Sequence, residues 1–277
     1  MISGVNNFSS VPQRPVLFEI TTVTFDLWQT LLLDNRDLGL ARAQVRLEGT
    51  QKALRRFGEE YGLEHIREAY RACYRQCRLV REQQLDVSFR EQVEIFVNNI
   101  SPGLVARLDE GTVQEIVAVY ADSFLIHPPA PHADALSVLR DLRAMGLRLG
   151  LISNTGMTPG VTFRTFLERE GMLGYFDALT FSDEVKLAKP SKDIFLLTLR
   201  ALGAAPSQTV HVGDHVKNDV VGAKRSGLKT VWIMGFYDRE DPSDVDSEPD
   251  AAVPTLGHVV PAIARLSGRP APGWPSA

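Results

Sequence analysis

Four polar signals, each placed after a short apolar run, mark the residues of this chain that could do chemistry. Asp26 closes the stretch Phe18-Glu19-Ile20-Thr21-Thr22-Val23-Thr24-Phe25-Asp26, whose β-branched and aromatic residues predict a buried strand carrying an acid to its carboxyl end. Ser153-Asn154 follows the apolar run 147–152, Lys189-Pro190 lies downstream of the run 176–181, and Gly213-Asp214 with Asn218-Asp219 follows the run 209–212. In open α/β sheets the carboxyl edge of the strands is where ligands bind. A hydroxyl there, such as that of Ser153, can donate a hydrogen bond to a phosphoryl or carboxylate oxygen. Asp214 and Asp219, placed to converge with Asp26, would form a hard all-oxygen site of the kind that suits Mg²⁺.

The elements that must position these residues are legible from periodicity. Residues 37–126 read as almost uninterrupted helix, with breaks at Gly62, Ser88 and Ser101-Pro102-Gly103, and no strand pattern occurs among them. Beyond the Pro-rich segment 127–131, helices and strands alternate. Helices are expected over 133–145, 159–170, 193–202 and 220–226, each followed by a strand over 147–152, 176–181, 209–212 and 229–234. Repeated strand–helix units imply a parallel sheet covered on both faces. The first strand needs that sheet for partners, so the helical block is an insertion, with 33–36 and 127–131 as its two hinges.

The predicted fold class is thus α/β, a Rossmann-like doubly wound parallel sheet with an inserted helical cap domain. The expected boundaries are a flexible leader over 1–15, a core of 16–32 plus 132–267, a cap of 33–131, and a disordered tail over 268–277. The stretch 237–250, acidic and rich in Pro and Ser, reads as a surface loop.

Composition excludes several partners. The 277 residues are 44% apolar and 23% charged, with net charge -4 and scattered Lys and Arg, which gives no electrostatic reason to expect nucleic acid or an anionic membrane. No apolar stretch approaches the ~20 residues that span a bilayer. The start of the chain lacks a signal-peptide pattern, so a cytoplasmic location is expected. Cys73 and Cys77, one helical turn apart, cannot close a zinc site and read as semi-buried thiols on one helix face.

The order and spacing of the four signals, with a helical insertion directly after the first strand, resemble the haloacid dehalogenase-like hydrolase superfamily in its helical-cap subgroup. The resemblance runs from about residue 21 to residue 266. It implies that Asp26 is the nucleophile, forming a covalent intermediate that splits one displacement into two. Thr30 would hold the nucleophile loop in place, and Ser153 and Asn154 would bind the transferred group. Lys189, rather than Lys186 or Lys192, would neutralise charge on that group and on Asp26. The implied Mg²⁺ ligands are Asp26, the backbone carbonyl of Trp28 and Asp214, with Asp219 completing the metal site or orienting Lys189. The implied partner is a small phosphorylated molecule.

One position departs from the commonest activity of that superfamily. Its phosphatases carry a second Asp two residues after the nucleophile, as acid to the leaving alcohol and then base to the water. This chain carries Trp28, whose indole has one N–H donor and no basic site for the task. Gln29 also replaces a frequent Gly. The dehalogenating members have an aromatic residue at position 28, but they use no metal and lack the pair that stands here as Gly213-Asp214. They need an arginine just inside the cap for the leaving halide, for which Arg36, Arg42 and Arg46 are available, although arginines on such a helix are more often solvated. Three readings follow. The first is a Mg²⁺-dependent phosphatase on a small phosphorylated metabolite. The second is a 2-haloacid dehalogenase-like hydrolase, and the third a weakly active or inactive phospholigand-binding protein.

Overall fold

The computed structural model describes residues 19–235 and 248–268. The expected leader, residues 237–247 of the expected loop and all of the expected tail beyond Gly268 lie outside the described residues.

The chain enters through β1 (Thr22–Phe25), fully buried along its length. After the short β2 (Leu32–Leu33) come α1 (Arg36–Phe57), α2 (Leu63–Glu82), α3 (Phe89–Ile100), α4 (Leu104–Arg107) and α5 (Glu110–Ile126), then β3 (Ala130–Pro131). The alternating part follows as α6 (Ala135–Ala144), β4 (Arg148–Ser153), α7 (Gly160–Arg169), β5 (Ala178–Phe181), α8 (Ser182–Val185), α9 (Lys192–Leu202) and β6 (Thr209–Gly213). A π-helical turn over Val216–Val221 leads into α10 (Gly222–Arg225), then β7 (Lys229–Ile233), β8 (Ala251–Val253) and α11 (Val259–Ser267). Six strands form one parallel sheet in the order β5-β4-β1-β6-β7-β8. β1 lies between β4 and β6, so the loops after these three strands share one sheet edge. That adjacency brings positions 26, 153 and 214, far apart in sequence, to one place.

Two separate apolar clusters support the two parts. One joins β1, β4, β6 and β7 to α6, α7 and α11 through residues such as Phe25, Leu139, Leu151, Phe163 and Ile263. The other lies inside the helical block, where Leu54, Cys73, Phe96, Ile116 and Tyr120 pack together. Clean helix punctuation explains the block. Asn35 accepts from the backbone N–H of Leu38 at the start of α1. Ser88 and Glu91 form a reciprocal capping box at the start of α3, and Asp109 accepts from the N–H of Thr112 at the start of α5. The two crossings into the block are tied together, because β2 and β3 pair antiparallel.

Several details differ from the sequence reading. The helix expected over 220–226 is a π-helical turn running into a single α-turn, which no periodicity announces. Strand β8 and helix α11 extend the alternation past the point where it was read to stop. Cys73 and Cys77 are fully rather than half buried, with sulfurs 4.0 Å apart, and the Cys73 thiol donates to the carbonyl of Gln92.

Helices α1 and α5 approach closely at Gly49, where an added Cβ would fall 2.3 Å from Cγ1 of Val119. Gly49→Val is therefore expected to lower stability by about 1 to 3 kcal/mol through overpacking. A thermal melt in which the variant equals the wild type would refute this account of the α1–α5 contact.

Candidate active site

Asp26 stands at the end of β1 and is 5% exposed. Its Oδ1 accepts from the Lys189 ammonium at 2.5 Å, and the same ammonium donates to Asp219 Oδ1 at 2.7 Å. Asp219 Oδ1 also accepts from His211 Nε2 at 3.2 Å, while Oδ2 accepts from the backbone N–H of His215 at 3.0 Å. His211 lies in β6, in register with Thr24 of β1, and its Nδ1 is 2.9 Å from the Thr24 hydroxyl. A carboxylate can only accept, so Nε2 carries the proton and Nδ1 accepts from Thr24. Burial lowers the pKa of the ring against the pull of Asp219, which favours its neutral form.

These groups are held from several directions. Asn154 binds both backbone polar groups of Lys189, donating through Nδ2 to the carbonyl at 3.0 Å and accepting from the N–H at 2.8 Å. Gly213 has no room for a side chain, since a Cβ would lie 2.4 Å from Cγ of Asp219. The carbonyl of Asp214 accepts from the Trp232 indole at 2.7 Å. The loop after Asp26 turns at Gln29 with φ of 55°, a conformation that glycine adopts more easily. The Gln29 amide compensates by bonding both backbone groups of Asp34. Thr30, expected to tie this loop, is fully buried and its hydroxyl has no hydrogen-bond partner among the described residues. The longer Gln29 side chain reaches across the turn instead.

The charges do not balance. Asp26, Asp214 and Asp219 each offer a carboxylate oxygen within 4.8 Å of the others, against one ammonium. Burial and then repulsion from Asp26 and Asp219 push Asp214 up to about 9, and burial pushes Asp26 up to about 6 despite Lys189. Asp219 is held well below the usual range, because Lys189 and His211 outweigh its burial. Burial also works against the Lys189 charge, but Asp219 and Asp26 outweigh it and hold the ammonium protonated. Oδ2 of Asp214 is buried without a hydrogen-bond partner among the described residues. An orphaned carboxylate oxygen beside two other acids fits a hard divalent cation, which would meet that oxygen and cancel the excess charge. Asp219 has both oxygens already engaged, so its geometry fits orientation of Lys189 better than direct ligation.

A cavity of about 340 Å³ opens over these residues, lined among others by Asp26, Trp28, Asn154, Lys189 and Asp214. Ser153 is fully buried at the end of β4, its hydroxyl 3.5 Å from the carbonyl oxygen of Asn154. The Trp28 ring is locked edge-on between Phe124 of α5 and Phe163 of α7, at centroid distances of 5.9 and 5.3 Å. It therefore joins the helical block to the sheet domain as well as walling the cavity.

Two arginines read as solvated are buried instead. Arg42 pairs with Asp34, donates to the carbonyl of His127 and lies over the Trp28 ring. Arg46 donates to Ser123, Tyr70, Thr158 and the carbonyl of Tyr120. Both face inward because the hinge and the α1–α5 seam offer acceptors that water would otherwise supply. Arg36 is exposed. Among Lys186 and Lys192, the first pairs with Glu91 across to the helical block and the second is exposed.

Sequence reasoning missed His211 and the loop that joins the block to Lys189. A histidine inside the apolar strand 209–212 was the available signal for the first. The second is the segment after α2, where Leu85 bridges to Leu187, the N–H of Asp86 donates to the carbonyl of Lys186, and the N–H of Ala188 donates to that of Gln84. The Asp86 carboxylate accepts from Ser182 and Arg81, and Arg81 reaches the carbonyl of Gly156.

With this geometry in place, the comparisons with known proteins are direct. The model of the haloacid dehalogenase-like hydrolase family matches residues 20–227, and the chain belongs to that family. Curated relatives include a glyceraldehyde 3-phosphate phosphatase of Methanopyrus kandleri, 34% identical over 49% of this chain and 56% of its own. A phosphoglycolate phosphatase of Escherichia coli is 35% identical over 48% and 50%. The chain spans about half the length of the curated relatives it matches. Among solved structures, a HAD phosphatase from Thermococcus onnurineus superposes with a TM-score of 0.59 at 24% identity, covering 88% of this chain and 98% of that one. A 2-haloacid dehalogenase from Pseudomonas syringae pv. Tomato gives 0.64 at 21%, covering 89% and 99%. These two similarities concern the fold. Among the described residues, no helix is long and apolar enough to cross a membrane.

The raised pKa of Asp214 sets a pH dependence. A carboxyl whose folded pKa is raised contributes stability that is present below its unfolded value of 3.8 and is lost as pH rises through about 9. Chelator-treated wild type should therefore lose melting temperature between pH 5 and pH 9. Asp214→Asn should flatten that decline, and parallel pH profiles for the two proteins would contradict the assigned charge imbalance.

Proposed function

We propose that the chain is a Mg²⁺-dependent phosphatase acting on a small phosphorylated molecule, through a covalent intermediate on Asp26. The observation that carries this reading is the buried, unpartnered oxygen of Asp214 beside Asp26, a feature that a metal-free displacement at carbon has no use for. The relatives named as phosphatases support the same direction. The burial of Arg42 and Arg46 away from the cavity counts against a halide-binding arginine there.

In this reading the block 33–131 is a cap that closes the site from water. Mg²⁺, held by Asp26, the carbonyl of Trp28 and Asp214, would supply positive charge to the phosphoryl oxygens. Lys189 keeps one oxygen of Asp26 fixed by its 2.5 Å contact, leaving the other free to attack phosphorus. Its ammonium then lies where charge develops on the transferred group. Asp219 keeps that ammonium in place, and His211, neutral and anchored to Thr24, fixes Asp219. Asn154 holds the lysine backbone, so its contribution to binding is through Lys189 as well as through the cavity wall.

The test is a set of phosphate esters and 2-haloacids assayed with Mg²⁺ and with EDTA, reading phosphate and halide separately. Mg²⁺-dependent phosphate release is expected, absent from Asp26→Asn, with no halide release. A wild type that releases halide in EDTA would replace the phosphatase reading by the dehalogenase one. Mg²⁺ should also raise the melting temperature of wild type at pH 8 and leave that of Asp214→Asn nearly unchanged. Equal shifts in both would remove Asp214 from the metal site.

A further inference from the structure

Among the described residues, the side chains around the reaction site include no spare carboxyl group. Of those lining the inner cavity, Asp26 and Asp219 are tied to Lys189, and Asp214 is the acid with the orphaned oxygen. Position 28 offers an indole, wedged between two phenyl rings. An outer chamber of about 420 Å³ adjoins the inner one and shares Tyr74, Asn154, Lys189, His215 and Asn218 with it. Its single acid, Glu82, is paired with Arg78. Of its cations, Arg78 is paired with Glu82 and Arg81 with Asp86, and Lys217 makes no ion pair among the described residues. Among the described residues the exit from the site thus offers no unpaired carboxyl acid, while the Lys217 ammonium there is left unpaired.

An alkoxide expelled from a phosphate ester needs a proton in the transition state, and a positioned acid is worth roughly 10²- to 10⁴-fold. A carboxylate or phosphate leaving group departs as a stable anion and needs none. Resting on the phosphatase reading, we propose that this site is built for phosphoryl compounds whose leaving group is a stabilised anion, an acyl phosphate or a phosphoanhydride, rather than for alkyl esters. An oxygen of Asp26 bonds to phosphorus as the bond from phosphorus to the acyl oxygen breaks, and the electron pair leaves on that oxygen as a carboxylate. The outer chamber, where the Lys217 ammonium is left unpaired, receives it. The aspartyl phosphate is itself an acyl phosphate, so the second step also expels a carboxylate. Water bonds to phosphorus, the pair returns to Asp26, and the proton of the water passes to a phosphoryl oxygen, giving dihydrogen phosphate.

The test is a leaving-group series on the wild-type protein with Mg²⁺, using acetyl phosphate and benzoyl phosphate, 4-nitrophenyl phosphate, and the alkyl esters glycerol 3-phosphate and phosphoglycolate. Rates are corrected with Asp26→Asn. The expected result is a kcat/KM at least about 100-fold higher for the acyl phosphates than for the alkyl esters. A difference below about tenfold overturns the proposal and leaves the phosphatase reading standing, because another group, such as Tyr74 or His215, would then supply the proton. Absence of phosphate release from every compound overturns the phosphatase reading itself. Trp28→Asp removes packing and is destabilising, so the wild-type series decides alone where that variant does not fold. Where it folds, it should narrow the difference by raising the alkyl rates about tenfold or more, and an unchanged difference would overturn the link to position 28.

Discussion

The Lys189 ammonium, buried between Asp26 and Asp219, is the contact on which the site depends. A cation in this position carries a large desolvation penalty that only well-placed anions offset, and removing one partner of such a pair typically costs about 3 to 5 kcal/mol. Three independent parts of the fold converge to make the geometry good enough. β1 delivers Asp26, β6 delivers His211 and the turn after it Asp219, and Asn154 clamps the lysine backbone from the end of β4. Because β1 lies between β4 and β6, no long loop is needed to join them.

The same lysine is coupled to the helical block. Residues 84–86 make backbone hydrogen bonds to residues 186–188, one residue short of Lys189. Asp86 collects Ser182 and Arg81 at that seam, and on the other side Trp28 is packed between Phe124 and Phe163. A movement of the block would disturb the lysine loop and the wall at position 28 together. The position of the block and the tuning of the site's charges are therefore one structural problem, in which the Trp28 ring is the wedge between the two parts.

The negative charge left over at the site has a physical meaning. Evolved sites seldom bury three carboxylates against one ammonium without another use for the surplus. The buried oxygen of Asp214 and its raised pKa are the same fact seen twice, as missing hydrogen bond and as electrostatic cost. Asp219, with every oxygen engaged, shows the opposite behaviour within a few ångströms. Two aspartates on one loop, five apart, are thereby given different work by their neighbours.

The sequence by itself determined the alternation of strands and helices, the inserted helical block and the strand ends that carry Asp26, Ser153 and Asp214. Strand periodicity, turn residues and helix caps act locally and leave a direct trace in residue order. It could not determine which side chains meet. His211 looked like one more residue of an apolar strand until the register set it against Thr24 and Asp219. Arg42 and Arg46 carry the pattern of a solvated face, and only the packing of α1 on α5 and on the hinge turned them inward. Among the described residues the Gln29 amide, and not the Thr30 hydroxyl, makes the hydrogen bonds across the turn. Such outcomes depend on distances between segments remote in the chain, where hydrogen-bond satisfaction and burial act on pairs of residues rather than on single ones.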